Sequence, residues 1–434
     1  MEKLLARAAE VADEAEVYWV SRQDTPVLFE ANRLKSLENR DTSGLALRII
    51  KNGRLGHSST NNTEDVDGLI ARVLETVPFG AEAKLEMPST QSYPHVDVYD
   101  PQVESISFDD MVQLGQSLID GIRSRFSEVL CEARIGKSLG KMRLINSRGC
   151  DVSYKKTSFG VSVEGSLIRD TDMLFVGEGR ASCRLNKDLA PIISDVLEQL
   201  ELGQEIVTAP SGDVPIIFTP RGVASILVWP LMAALNGKTL LQGASPLEGK
   251  LGQRVLAEGF SLWDDPTTPY ASGSRLCDDE GVPSRPLPLI NKGVLSNFLY
   301  DLQTAGQARK ASTGSASRSL GSLPAPSSSV ILVGEGDVAY KDMLSDVKEG
   351  IIIDRLLGAG QSNILGGDFK ANVLLGYKIE KGRIVGRVKN TMVSGNVYEI
   401  LNDLRGVGSE AKWVWGYLKA PHIYCGKISV ATSN

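Results

Sequence analysis

The sequence predicts an α+β protein in two parts. Residues 1–205 form an N-terminal α+β domain, with antiparallel sheet or sheets and helices packed on them. Residues 206–434 form a mainly β domain with a curved or barrel-like sheet. Three observations carry this. In the first half, strand-length runs alternate with amphipathic helices, and the order helix–strands–helix occurs twice. Hairpin turn signals join the runs, foremost Lys51-Asn52-Gly53-Arg54, because Asn-Gly suits a type I′ turn. Beyond residue 213 glycine becomes frequent, and short apolar runs are separated by Gly, Pro and Asn turns.

The elements follow in order. Residues 2–13 place Leu4, Leu5, Ala8, Ala9 and Ala12 on one helical face. Strands are expected at 17–21, 27–30, 34–39, 44–50 and 55–58. A helix over 65–76 buries Val66, Leu69, Ile70 and Val73. Residues 80–103, with several prolines, read as a surface loop. A helix follows at 109–125, then strands from 129 to about 180, with a turn at Asn146-Ser147-Arg148-Gly149. A helix over 188–202 carries Leu189, Ile192, Ile193, Val196 and Leu197. Residues 203–213 read as a linker. In the second half a strand at 214–218 precedes an apolar helix at 222–236. Strands are expected at 290–299, 330–333, 351–357, 374–380, 383–388 and 427–431, and short helices at 340–347 and 397–404.

The 434 residues carry a net charge of -6, which argues against nucleic acid as a partner. No apolar run approaches the roughly 18–20 residues that a membrane span needs. The N-terminus reads as an amphipathic helix, not a signal peptide. Five cysteines at wide spacing, without C-x-x-C, point to free thiols in a reduced, cytoplasmic protein.

Candidate chemistry is sparse. The three histidines, His57, His95 and His422, are too far apart to share a helix face, so H-E-x-x-H is absent. Ser312-Thr313-Gly314-Ser315-Ala316-Ser317 reads as a mobile polar loop. Asp278-Asp279-Glu280 could bind a hard cation or serve acid–base work, but reads as a solvated turn. His422 and Cys425 could begin a metal site, and Cys425 is the candidate ligand; the alternative is a structural cysteine at a strand start. Gly366, Gly367 and Asp368 are the candidate substrate-binding residues. Their glycines suit a turn or the close approach of another backbone, such as a bound peptide strand. Trp413, Trp415 and Tyr417 alternate, as an interface anchor or a strand's core residues would.

The ordered set Cys277-Asp278-Asp279-Glu280-Gly281-Val282, Asn291-Lys292-Gly293-Val294-Leu295, Ser312-Thr313-Gly314, Gly358-Ala359-Gly360-Gln361-Ser362, Gly366-Gly367-Asp368-Phe369 and Cys425-Gly426 resembles the TldD/PmbA family, once called modulators of DNA gyrase. Asn32-Arg33-Leu34-Lys35-Ser36 with Gly44-Leu45-Ala46-Leu47-Arg48 is similar to the family's first domain. The resemblance implies one of two branches. The TldD branch has two zinc-ligand histidines and a catalytic glutamate on a helix, and a cysteine ligand near the C-terminus. The PmbA (TldE) branch lacks the metal site and pairs with the first as a cytoplasmic heterodimeric protease of unfolded or precursor peptides.

On the matching helix, Val228 and Ala233 stand at the histidine positions and Trp229 at the glutamate position. Pro230 is a departure expected to kink or restart the helix. The expectation is therefore a PmbA/TldE-like subunit with no catalytic residue of its own. It would bind no cofactor, and the zinc would sit in a TldD-like partner. The alternative is a stand-alone homodimer that binds peptide or acts as a scaffold. A third reading is an enzyme with a site near Cys425 and the 278–280 acids.

Overall fold

In the computed structural model, which describes residues 1–359 and 363–432, two large sheets dominate. Gly360, Gln361 and Ser362 of the Gly-Ala-Gly-Gln-Ser motif lie outside the described residues. The first sheet has seven strands, all paired antiparallel. Its central strand, Glu14–Glu30, is continuous where the sequence suggested two. The intervening polar residues stay in register with neighbours on both sides, Ser21 opposite Ser43 and Lys141. Pro26 is accommodated because pairing with Arg40–Lys51 ends at Asp24, so no ladder on that side needs its N–H.

Helices cover this sheet as their apolar spacing predicts. Leu4 and Ala8, with Leu69 and Val73 of helix Val66–Thr76, pack on Val17, Leu45, Leu47 and Ile49. Asp65 caps that helix by accepting from the Gly68 N–H, and Ser107 caps helix Phe108–Arg123 through Asp110. Phe108–Arg123 and Ala190–Leu202 enclose a second core.

The second sheet closes on itself. Gly212–Phe218 pairs antiparallel with Leu418–Thr432 and parallel with Glu349–Leu357. The latter pairs with Asp368–Glu380, then Thr391–Asn396, which returns to Leu418–Thr432. Five strands thus form a closed barrel, which leaves no edge within the ring. Alternation assigns its two faces. Ile216, Phe218, Ile351, Ile353, Ile423 and Cys425 share one core with helix residues Val223–Leu235. Ile217, Ile352, Tyr377 and Tyr424 face the other way, into the core under helices Phe108–Arg123 and Ala190–Leu202. The two halves of the chain therefore share apolar core.

The segment read as a linker contains a short strand, Ile206–Val207, paired parallel with Arg387–Val388. No helix among the described residues is long and apolar enough to cross a membrane.

Candidate functional site

The helix singled out from the sequence begins at Thr219, whose hydroxyl accepts from the Gly222 N–H and donates to the Asp354 carboxylate at 2.7 Å. Pro230 does not end it: after the π-helical stretch Val223–Val228 an α-helix restarts at Trp229, with the proline in its first turn. The backbone stays helical through Trp229, and the turns over Val223–Val228 widen to the π form just before the proline. Such a widening redistributes the hydrogen bond that Pro230 cannot donate.

Val228 is 1 % exposed in the barrel core, whereas Trp229 is 63 % exposed. Valine and alanine offer no lone pair and indole no base, so these positions do not fit a zinc site. Cys425 is fully buried among the same apolar side chains. Burial, reinforced by the Asp403 carboxylate, pushes its thiol well above the ordinary range, away from the thiolate a metal needs.

His422 cannot join Cys425. Three positions apart on one strand, they fall on opposite faces. Cys425 points into the barrel core, while His422 lines a cleft and stacks on Tyr340 at 4.2 Å. Burial and nearby Lys412 hold the imidazole pKa down at about 4. Among the described residues, no three His, Cys, Asp or Glu side chains gather as a metal would require.

Gly366, Gly367 and Asp368 form a turn into strand Asp368–Glu380. Asn396 donates to the Gly366 carbonyl at 2.7 Å and to the Asp368 carboxylate at 2.8 Å. Gly367 sits at φ +80°, and a Cβ there would lie 2.7 Å from the Tyr398 ring. Turn geometry and close packing account for these glycines.

The acids at 278–280 are no solvated turn. Asp278 and Glu280 are fully buried. Arg48 bridges Glu280 and Glu16, and Arg318 holds the other Glu16 oxygen at 2.7 Å while lying 4.0 Å from the Tyr18 ring centroid. The Tyr18 hydroxyl donates to Asp279. Asp278 accepts from the amides of Glu280, Val282 and Ala316. Burial raises Asp278 to about 6 and Glu280 to about 7. Burial would also raise Glu16, but Arg318 and Arg48 outweigh it and hold its pKa low. Ser312–Ser317 belongs to the same knot and is not a mobile loop. Ser315 is buried, and Arg275 donates to the Ala316 carbonyl at 2.7 Å. Partners up to 302 residues away explain the misreading.

A cavity of about 1360 Å³ was not foreseen. It lies between the end of strand Asp172–Ser182, helix Ala190–Leu202 and the outward face of the barrel. Glu178, Arg180, Arg221, Asp354, Tyr377 and His422 line it. Burial raises Glu178 despite Arg221 at 3.8 Å. One signal was available: Asp354 ends the apolar run Ile351-Ile352-Ile353, where a carboxylate needs a reason.

Trp413, Trp415 and Tyr417 surround the hairpin turn between Leu404–Val414 and Leu418–Thr432 rather than filling a core. They are 37–43 % exposed, and the Trp415 and Tyr417 rings stack at 6.0 Å.

Residues 211–432 match the PmbA/TldA metallopeptidase C-terminal domain, and residues 15–77 match domain 1 of the same family. An uncharacterized protein of Methanocaldococcus jannaschii is 26% identical over 93% of both chains. A metalloprotease of Methanothermobacter thermautotrophicus is 25% identical over 92% of this chain and 87% of its own. The crystal structure of TldE from Thermococcus kodakarensis superposes with a TM-score of 0.92 at 24% identity, over 99% of each chain, so the fold is the same.

Proposed function

Because this chain belongs to the PmbA/TldD metallopeptidase family, we propose that it is the PmbA/TldE-like, non-catalytic subunit of a heterodimeric metalloprotease. A TldD-like subunit would hold the zinc and cut, and the pair would act in the cytoplasm on unfolded or precursor peptides. One observation carries the reading. The helix that should present two histidines and a glutamate presents buried Val228, half-buried Ala233 and exposed Trp229. A catalytic zinc needs three protein ligands and a water-activating base, and this chain supplies neither at that place. Its part would be to shape a chamber and hold the peptide, which is proximity rather than bond-breaking.

Elemental metal analysis tests this on the purified chain, alone and co-expressed with a metal-motif subunit from the same genome. The chain alone should be metal-free and inert. The co-purified pair should carry about one zinc, as a single catalytic site requires, and degrade an unfolded peptide. Stoichiometric zinc and peptide cleavage by the chain alone would overturn the reading. So would a failure of the two chains to associate.

A further inference from the structure

Strand Glu349–Leu357 carries a β-bulge. Ile353 faces Gly376 of strand Asp368–Glu380 and Arg355 faces Leu375, so Asp354 is the extra residue between them. Ile353 and Leu356, three positions apart, both pack into the barrel core, which strict alternation would forbid. A bulge re-aims a side chain, and here it turns a carboxylate into the wall of the cleft. The start of the apolar helix fixes that carboxylate. The Thr219 N–H donates to the Ile353 carbonyl at 3.0 Å, and its hydroxyl donates to Asp354 Oδ1 at 2.7 Å. Asp354 Oδ2 is left without a hydrogen bond, although the residue is only 7 % exposed. Arg355 Nε stands 3.5 Å from it and is itself unbonded.

A second orphan stands on the same wall. Tyr377 pairs opposite Ile352, is 5 % exposed, and its hydroxyl has no hydrogen-bond partner among the described residues. A buried polar group left unpaired is costly, so two in one cleft call for a ligand that satisfies both. The electrostatics say which kind. Burial, with Asp354 and Glu198 adding, raises the hydroxyls of Tyr340 and Tyr377, so both stay neutral. Burial also raises Glu178, with Asp195 and Asp354 adding to it. Asp195 has two partners of its own, Arg180 and Lys412. Asp354, Glu178 and Glu198 therefore face two guanidiniums, those of Arg221 and Arg355, which leaves a place for one more positive charge. His422 does not oppose it, because its imidazole stays neutral down to about pH 4.

We propose that Asp354 and Tyr377 form a binding site for a primary ammonium group. An ammonium is a compact cation with three N–H donors. Asp354 Oδ2 accepts one and the Tyr377 oxygen another, and the third is directed to Glu198 or water. A guanidinium is a poorer match, because its fork needs both carboxylate oxygens and Thr219 already holds Oδ1. A metal ion is a poorer match still, since no three His, Cys, Asp or Glu side chains gather among the described residues. Val161, Ile192, Ile352 and Ile384 line the cleft beside the polar groups and suit an alkyl chain attached to the nitrogen. The ligand is thus an aliphatic amine, free or as the amino terminus of a peptide. The site does not depend on the chain being a protease subunit.

The probe is n-hexylamine, titrated by calorimetry against the purified chain near neutral pH. Hexan-1-ol lacks the charge and hexyltrimethylammonium lacks the N–H donors. Hexylamine should bind about tenfold or more tighter than either. That comparison uses the wild-type chain alone, so it holds even where a variant fails to fold. Asp354→Asn should weaken hexylamine about tenfold or more, and Tyr377→Phe about fivefold. Two further arms separate the sources, both of them supporting the site. Spermidine binding without peptide binding assigns a free amine. An alanine–glycine hexapeptide that binds with a free terminus and not when N-acetylated assigns a peptide terminus. No binding of hexylamine, equal affinity for hexylamine and hexyltrimethylammonium, or unchanged affinity in Asp354→Asn overturns the site. The subunit reading survives that result, because it rests on Val228, Trp229 and Ala233 instead.

Discussion

Arg48→Met removes the cation at the centre of the buried charge knot. Arg48 donates to Glu16 at 2.8 Å and to Glu280, and all three side chains are at most 2 % exposed. Without it, Glu16 keeps Arg318, and Glu280 keeps only the Leu302 amide at 2.7 Å. Two charge-assisted hydrogen bonds are lost, at about 1.5–3 kcal/mol each. The independent figure for removing one partner of a buried pair is about 3–5 kcal/mol. We expect a loss near 4 kcal/mol at pH 8, read as the shift of the urea unfolding curve followed by tryptophan fluorescence. The loss should shrink at pH 5, where an unpaired Glu280 takes up a proton and ceases to be a buried charge. The double variant Arg48→Met, Glu280→Gln should recover part of it, because the two residues touch and their effects are not additive. A loss below about 1 kcal/mol at pH 8, or the same loss at both pH values, would refute the reasoning.

Glu280→Gln has its own pH signature. Because burial lifts the carboxyl from its ordinary 4.5 to about 7, the folded state holds a proton that the unfolded state releases. Wild-type stability should therefore fall as pH rises through that window, by about 3 kcal/mol at about 1.4 per pH unit. The variant should show a flatter profile, with Asp278 contributing what slope remains. His422 works in the opposite sense. Its pKa lies at about 4 instead of 6.5, so stability should drop as pH falls from 6.5 toward 4, and His422→Asn should remove that drop. NMR titration should find an imidazole neutral at pH 6; a protonated one at that pH would contradict the stacked, buried placement. Gly367→Ala should cost about 1–3 kcal/mol in thermal unfolding, from the φ of +80° and the Tyr398 ring in the way. Equal stability of that variant would return Gly367 to the list of ligand-contact candidates.

Element type was legible where one period ran long enough. The spacing of Leu189, Ile192, Ile193, Val196 and Leu197 specified a helix, and Ala190–Leu202 is one. The α+β class and the barrel-like second half were readable from alternation and turn chemistry. Strand lengths were not. Glu14–Glu30 and Leu418–Thr432 run through polar stretches because neighbouring strands supply the pairing there. The Asn-Gly and Lys-Gly turns needed no such help, since positive φ is a local property at Asn52 and Lys381.

The candidate site divides along the same line. By itself the sequence determined which chemistry Val228, Trp229 and Ala233 could not perform, because donor capacity belongs to the side chain whatever surrounds it. It also carried the ordered motifs that mark the family. Burial, pairing and facing were decided only by the tertiary structure. Asp278, Asp279 and Glu280 look like a solvated charge run until Arg48 and Arg318 are brought from 232 residues upstream of Glu280 and from beyond it. His422 and Cys425 look like a ligand pair until the strand that holds them is known to be a strand, which sends them to opposite faces. Beyond Asp354 the cleft has no sequence signature, because its walls come from many separate parts of the chain. Local conformation and donor chemistry are short-range and written residue by residue. Desolvation and long-range ion pairing depend on which distant segments meet, and that is fixed only when the cores close.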